Sequence, residues 1–150
     1  AERGGATETW CGDLEHYREQ ANKMNQGLGP ELVIDNTGNP AVFQQALAVL
    51  ARFGKLILLG DTGYPGSQKL SSDVMTKGLT IQATHESHDR DGWTQRRIDA
   101  RFFESVLAGQ FDLSRLITHE FRPEQASQAY AVAEQHREQA MGILFDWTGL

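Results

Sequence analysis

The chain has 150 residues, 39% hydrophobic and 23% charged, which is typical of one globular domain. Its formal net charge of -6 argues against nucleic acid as a partner, because that binding depends on clustered basic residues. No apolar run approaches the roughly 20 residues of a membrane-spanning helix, and residues 1–10 lack the features of a signal peptide. Cys11 is the single cysteine, which excludes an internal disulfide and predicts a cytoplasmic protein.

The first part of the sequence predicts a strand, a helix and a second strand. Residues 6–10 are predicted to form a short strand. Apolar residues recur at helical spacing over 13–26, and Gly27 follows where a left-handed helix cap belongs. The run 31–36 lies between Gly-Pro and Asn-Thr-Gly, which predicts a buried strand. Asp35 ends this strand and is predicted to accept hydrogen bonds from loop amides.

A second helix and a third strand follow directly. Asn39 is a good N-cap and Pro40 suits the first helical position, whereas Gly54 ends the helix. The strand 55–60 has four successive apolar residues, from Leu56 onward. Such a run predicts a strand that is covered on both faces, as in parallel sheets between layers of helices.

The remaining sequence continues the alternation of strands and helices. Strands are predicted at 79–85, 116–118 and 141–147, with a helix at 93–107 and another that has Pro123 in its first turn. The helix over 93–107 is expected to bury three apolar side chains. These are Ile98, Phe102 and Val106.

This alternation predicts an α/β fold with a mainly parallel sheet flanked by helices. In such sheets ligands bind at the carboxyl ends of the strands. The candidate functional segments are therefore the loops that follow strands, at 36–39, 60–66 and 84–91.

The order of elements resembles that of the zinc-type medium-chain alcohol and polyol dehydrogenases. The resemblance rests on the succession GPELVIDNTGNPAVFQQALAVLARFGKLILLG, LTIQATH and LITHEFRPEQASQAYAVAEQ, and it spans nearly the whole chain. It implies a partial Rossmann-like domain that lacks its first two strands and keeps the third to sixth. In the single domain so expected, residues 1–115 would be the C-terminal part of the dinucleotide-binding domain. Residues 116–150 would be a return segment toward an absent catalytic domain.

The resemblance also implies a cofactor, NAD or NADP, and places its contacts in the loops after the strands. The contacts near the adenosine would come from the first of these loops, and those near the nicotinamide carboxamide from the other two. The matching positions are Thr37 and Gly38 on the adenosine side, and Leu59, Gly60, Asp61 and the backbone of Ala83, Thr84 and His85 on the nicotinamide side.

Several motifs of a complete enzyme are missing from this sequence. The phosphate-binding G-x-G-x-x-G does not occur, and Gly27-Leu28-Gly29 is no substitute because it precedes a strand. The resemblance implies that the cysteine and histidine ligands of a catalytic zinc lie before residue 1. No catalytic or metal-binding residue is therefore assigned here. Many relatives carry a basic residue for the pyrophosphate where this chain has Met141 and Gly142.

The segment HESHDRD, residues 85–91, contains two histidines and three acids. It could ligate a metal through imidazole and carboxylate groups, or simply be a polar loop before an acidic helix start. The resemblance offers a third interpretation, since this loop would border the substrate cleft. In that case His85, His88 and Trp93 would shape substrate specificity.

The missing strands have a consequence for assembly. Strand 31–36 would expose a hydrophobic edge of unpaired amides, which invites pairing with another chain. Either residues 6–10 move in beside it, or two chains join their edges. Strand 79–85 would form the opposite edge, and a homo-oligomer through sheet edges is expected.

Together these features predict a part of an NAD(P)-dependent alcohol or polyol oxidoreductase with a small-molecule substrate. The isolated chain is expected to be inactive, because hydride transfer would need the absent zinc half. The alternative is a stand-alone, non-catalytic module for binding or self-association.

Overall fold

A computed structural model describes residues 5–12, 14–59, 64–85, 88–89, 91–136 and 139–149. For Glu15 and Arg115 it describes the backbone but not the side chain. The chain divides into two compact units, Ala1–His88 and Asp89–Leu150. The fold is α/β with parallel strands and flanking helices, which confirms the predicted class.

The first unit alternates helices and strands and contains a parallel sheet. Its strands pair in the order β1-β2-β3, and β2 is the central strand. The elements are α1 (Leu14–Lys23), β1 (Leu32–Asp35), α2 (Pro40–Val49), β2 (Lys55–Leu59), α3 (Asp73–Lys77) and β3 (Thr80–Thr84), with single 3-10 turns at Asn25–Gly27 and Pro65–Ser67.

Helix α2 begins as the sequence predicts and forms the core of this unit with the sheet. The Asn39 side chain accepts a hydrogen bond from the amide of Ala41 at 2.8 Å, and Pro40 occupies the first turn. Leu47 and Leu56 have no exposed surface. The buried core consists of Phe43, Ala46, Leu47, Leu50 and Leu56.

The short helix α3 secures the carboxyl end of α2. The Lys77 ammonium donates to the carbonyl of Ala48 at 2.7 Å and pairs with Asp73 at 3.2 Å, so it satisfies a carbonyl that a helix end leaves without a partner. Burial opposes ionisation of Asp73, but hydrogen bonds from Ser71 and Lys77 outweigh it and lower the pKa of this carboxyl. The sequence interpretation missed α3, because five residues are too few to show a helical period.

Only one face of the sheet is covered within the described part of this unit. Val74 of α3 packs on the same core as α2, whereas Leu32, Ile34 and Leu59 are 53%, 56% and 47% exposed. In β2 itself Leu56 is buried and Ile57 and Leu58 are half-buried, so the predicted cover on both faces is incomplete and fails at Leu59. Side chains along a strand alternate between the two faces of the sheet. The face that carries Leu32, Ile34 and Leu59 has little cover from the described part of this unit.

The predicted strand at residues 6–10 is also wrong. These residues form no strand, and instead the ring of Trp10 packs on Tyr17 of α1, with centroids 5.4 Å apart. Over the described residues the sheet consequently has three strands, not the third to sixth of a Rossmann domain. As predicted, β1 and β3 lie at its two edges, and among the described residues no strand pairs with the outer side of β1.

The second unit contains α4 (Gln95–Leu107) and a two-stranded parallel sheet. Its strands β4 (Ile117–Phe121) and β5 (Gly142–Phe145) are joined through α5 (Ala126–Gln135). Pro123 begins a 3-10 turn just ahead of α5.

An ion pair fixes the ends of the two strands in this unit. Arg122 pairs with Asp146 at 3.0 Å, and the Arg122 guanidinium also donates to the carbonyl of Thr148. Hydrogen bonds from Thr148 and the charge of Arg122 lower the pKa of Asp146. The polar cluster thus joins the residues that follow β4 and β5.

Helix α4 buries only part of the face predicted from its sequence, since Val106 is half-buried. Ile98 and Phe102 are 38% and 42% exposed, and Ser105 is its buried residue. The ring of Phe102 contacts those of Phe103 and Phe111, with centroids 5.4 and 6.4 Å apart. Phe102 and Phe103 of the helix therefore pack with Phe111, which follows it, and leave an apolar surface exposed.

Gly29 provides a test of the close contact between the chain before β1 and the end of α2. A Cβ at Gly29 would lie 2.7 Å from the carbonyl oxygen of Val49, and its φ is +81°. We expect Gly29→Ala to lower the free energy of unfolding by about 3 kcal/mol, measured by urea denaturation.

Gly109→Ala is the matched control. Gly109 has a similar φ of +71°, but its Cβ would meet no atom within 4 Å. The backbone penalty alone predicts a loss of about 1 kcal/mol. Equal losses in the two variants would contradict a steric role for the Gly29 contact.

Candidate functional site

The carboxyl ends of the three strands in the first unit meet at one edge of the sheet. Asp35 of β1 pairs with Leu58 of β2, and Leu59 pairs with Thr84 of β3. Because the strands are parallel and in this register, the loops that follow them begin side by side. This edge is the candidate site.

The structure places six of the eight predicted contact residues at this edge. Gly60 and Asp61 lie outside the described residues. The six are Thr37 and Gly38 in the loop after β1, Leu59 at the end of β2, Ala83 and Thr84 at the end of β3, and His85 directly after it.

A chain of hydrogen bonds shapes the loop after β1. Asp35 is 5% exposed, and its Oδ1 accepts from the amide and the hydroxyl of Thr37 at 2.8 and 2.6 Å. The Thr37 hydroxyl oxygen in turn accepts from the amide of Asn39 at 3.1 Å. Gly38 has a φ of 62°, in the left-handed region that favours glycine. The predicted role of Asp35 in satisfying loop amides is confirmed.

The second carboxylate oxygen of Asp35 differs from the first. Oδ2 is buried and has no hydrogen-bond partner among the described residues. A buried acceptor without a donor costs roughly 1 to 3 kcal/mol, and more when it carries charge. The turn is therefore firmly held through Oδ1 but leaves one strong acceptor unsatisfied.

Sequence reasoning missed the part that Thr37 takes in this turn. Its hydroxyl both donates to Asp35 and accepts from Asn39, so it connects the end of β1 to the start of α2. The Asp-x-Thr spacing before an N-cap residue was an available signal, since short polar side chains commonly bond to the backbone two residues away.

The loop after β3 begins with two histidines that lie close together. The amide of His88 donates to the carbonyl of His85 at 3.0 Å, and the two ring centroids are 5.9 Å apart. Trp93, which was predicted to shape specificity with them, belongs to the second unit, where Arg97 lies over its ring at 4.3 Å.

The residues present do not fit a catalytic zinc. Such sites use at least three protein ligands, and no group of three or more His, Cys, Asp or Glu side chains that could hold a metal occurs in the described ranges. We therefore assign no reaction step of this chain to zinc.

Met141 and Gly142, where the resemblance implies a basic residue in many relatives, have a structural role here. A Cβ at Gly142 would lie 2.5 Å from the carbonyl oxygen of Leu116. The amide of Met141 donates to the hydroxyl of Thr118 at 3.0 Å. A basic side chain at 142 would thus require the backbone to shift.

The turn after β1 can be tested with Thr37→Val, which removes the hydroxyl and keeps a similar shape. The buried Asp35 carboxylate would lose a donor and the amide of Asn39 an acceptor, so we expect a loss of about 1 to 2 kcal/mol in unfolding free energy. Amide hydrogen exchange at Asn39 should become faster than in the wild type.

Thr76→Val serves as the control for this substitution. The Thr76 hydroxyl donates to the carbonyl of Ser72 at an exposed position, at 3.1 Å. Its removal should change stability by about 0.5 kcal/mol or less. Unchanged exchange at Asn39 in Thr37→Val would contradict the hydrogen-bond chain.

The comparisons with known proteins agree with a Rossmann-like dehydrogenase fold. Residues 1–100 match the sequence profile of the zinc-binding dehydrogenases, and the chain belongs to that family. Over 120 residues it is 32% identical to the L-threonine 3-dehydrogenase of Bacillus velezensis, an alignment that covers 80% of this chain and 33% of that enzyme.

Solved structures show the same fold. An oxidoreductase/dehydrogenase of unknown specificity from Escherichia coli, involved in membrane biogenesis, superposes with a TM-score of 0.78 at 20% identity, over 97% of this chain and 40% of that one. A short chain alcohol dehydrogenase from Escherichia coli CFT073, complexed with NADH, gives a TM-score of 0.64 at 18% identity, over 89% and 41%.

The alignments cover only part of the length of each relative. The chain spans about a third of the length of the curated relatives it matches, 33% and 36% for the L-threonine 3-dehydrogenases of Bacillus velezensis and Bacillus subtilis. In the part of the chain that the structure describes, no helix combines the length and apolar character needed to cross a membrane.

Proposed function

We propose that this chain supplies the nicotinamide-side part of the dinucleotide-binding domain of an NAD- or NADP-dependent alcohol or polyol dehydrogenase in the cytoplasm. The observation that carries this proposal is the shared edge at which β1, β2 and β3 end, with the candidate contact residues on it. Membership of the zinc-binding dehydrogenase family supports it. In this proposal residues 1–115 belong to the cofactor domain and 116–150 lead toward the catalytic domain.

Each part of the edge has its own proposed role. Thr37 and Gly38, held by Asp35, contact the adenosine side of the cofactor. On the other side the cofactor carboxamide meets backbone groups at the end of β2 and β3. The proposed nicotinamide-side residues are Leu59, Gly60, Asp61, Ala83, Thr84 and His85.

The proposed contribution of this chain to the reaction is binding and orientation. A nicotinamide cofactor supplies the hydride chemistry, while the protein fixes the position of its reactive ring. Backbone groups at strand ends suit this task because the sheet holds them rigidly. His85 and His88 lie at the start of the loop predicted to border the substrate, and a part for them in specificity stays a prediction. The isolated chain is proposed to bind cofactor without turnover.

Titration of the chain with NADH tests this proposal. Binding is measured by energy transfer from tryptophan to NADH or by the change in NADH emission. We expect saturable binding, and a dissociation constant about tenfold weaker for Gly38→Ala, because a Cβ at its φ of 62° strains the loop and crowds the approach of a ligand. NADPH is titrated in parallel.

Gly109→Ala is the control in this experiment too. It carries the same type of backbone penalty, with a φ of +71°, in the other unit. It should bind NADH as the wild type does. Absence of saturable binding by the wild-type chain, or equal weakening in both variants, would count against the proposed cofactor site.

A second candidate function is a non-catalytic module for self-association, and the outer side of β1 favours it. Leu32 and Ile34 are both more than half exposed, on a strand whose outer side has no partner strand among the described residues. An open apolar edge readily pairs with another chain. Two copies of the chain would join their β1 edges into one sheet.

Light scattering after size exclusion tests this second candidate. We expect a dimer for the wild type and a monomer for Ile34→Lys, because charge on an edge strand opposes pairing. Leu70→Lys, at a position 69% exposed and outside the strands, should remain dimeric. A monomeric wild type would exclude self-association, and a dimer that binds no NADH would favour the module over the cofactor domain.

A further inference from the structure

A cleft between α1 and α2 lies apart from the proposed cofactor site. Its volume is about 170 Å³. On each helix the lining residues are one turn apart, so each helix presents a single face to the cleft. They are Leu14 and Arg18 of α1, and Gln44, Gln45, Ala48 and Val49 of α2. None of these residues belongs to the edge at which β1, β2 and β3 end.

The walls of the cleft combine apolar surface with a positive charge. Val49 is buried, whereas Leu14 and Ala48 are half-buried. Arg18 is exposed and carries the charge at the rim of the cleft. Small-molecule sites commonly have this form, in which apolar side chains provide contact area and a few polar groups fix the orientation of the ligand.

The acid near Arg18 already has a direct partner. Burial opposes ionisation of Asp73, and the charge of Arg18 is one of the interactions that nevertheless lower the pKa of this carboxyl. The ion pair itself is made by Lys77, at 3.2 Å. Asp73 therefore does not consume the donors of Arg18. A guanidinium has five N–H donors in a planar fork, which matches the two oxygens of a carboxylate.

A hydrogen bond holds one side of the cleft in place. The Nε2 of Gln44 donates to the carbonyl of Lys69 at 2.7 Å. This bond ties the side chain of α2 to the segment that precedes α3. A wall that is already fixed loses less conformational freedom when a ligand binds, which favours binding of even a small molecule.

The size of the cleft restricts the ligand. An apolar cavity of about 150 Å³ in another protein holds one benzene molecule, which has about six heavy atoms. The present cleft, at about 170 Å³, has room for a ligand of similar size. A carboxylate group for Arg18 then leaves roughly four carbon atoms, including its own, to contact the apolar walls.

We propose that the cleft between α1 and α2 binds a short aliphatic carboxylate. The Arg18 guanidinium donates to both carboxylate oxygens, and the hydrocarbon part lies against Leu14, Ala48 and Val49. A dinucleotide is far too large for this cleft, so the site is separate from the proposed cofactor site. The proposal goes beyond that function and does not depend on it.

Titration of the whole chain with sodium butyrate tests the proposal, at low ionic strength and without any nucleotide. Backbone amide NMR shifts report the binding. We expect saturable shifts at Arg18, Ala48 and Val49, with a dissociation constant of about 1 to 10 mM for so small a ligand. Arg18→Ala should weaken binding about fivefold, because it removes the ion pair. Ala48→Leu should weaken it at least tenfold, since the larger side chain fills the cleft.

Two matched control variants lie on α4 in the second unit. Arg101→Ala removes an exposed guanidinium that pairs with Glu104 at 3.5 Å. Ala100→Leu enlarges an exposed helical alanine. Both should bind butyrate within twofold of the wild type. Unchanged affinity in Arg18→Ala or in Ala48→Leu, or no saturation of the wild type below about 50 mM butyrate, would overturn the proposal.

A ligand series on the wild-type chain makes the result independent of any variant. Butylamine has a similar chain with the opposite charge, and inorganic phosphate has negative charge without a chain, so neither should saturate the cleft. Butanol, which is uncharged, should bind at least threefold more weakly than butyrate. Binding of any of the three as tightly as butyrate contradicts the proposal. Because no nucleotide is present, failure here leaves the proposed nicotinamide site untouched.

Discussion

The packing of α2 on three parallel strands is the constraint on which the first unit depends. Leu47 from the helix and Leu56 from the central strand are both fully buried. Since this contact fixes the face of β2, it also fixes the register of its neighbours and brings their carboxyl ends to one edge. The candidate site follows from this arrangement, and so does the exposure of the opposite face of the sheet.

Much of this architecture could be predicted because its signals are local. Strands β1, β2 and β3 stand out as short apolar runs between turn residues, and Asn39 with Pro40 marks the start of α2. Alternation of strands and helices then implies parallel pairing. The loops of the candidate site follow from that topology alone, although their contact residues rest on resemblance to a family.

Other features depend on tertiary contacts that no local pattern contains. Residues 6–10 have strand-like composition, yet Trp10 finds a partner in Tyr17 of α1. The apolar face of α4 has a clear helical period, but period alone does not show whether a partner is available to cover it. By contrast, the bonds of Asp35 to Thr37 are local, and the Asp-x-Thr spacing contains the signal for them. Sequence patterns identify faces, whereas the fold decides what those faces meet.

The order of the sheet has a consequence for how the chain acquires its structure. Strands β1, β2 and β3 are adjacent in the same order in which they occur in the chain. Each new strand can thus pair with its predecessor as soon as it leaves the ribosome, without waiting for a distant segment. Growth of this part of the sheet can therefore proceed from β1 through β2 to β3 during synthesis.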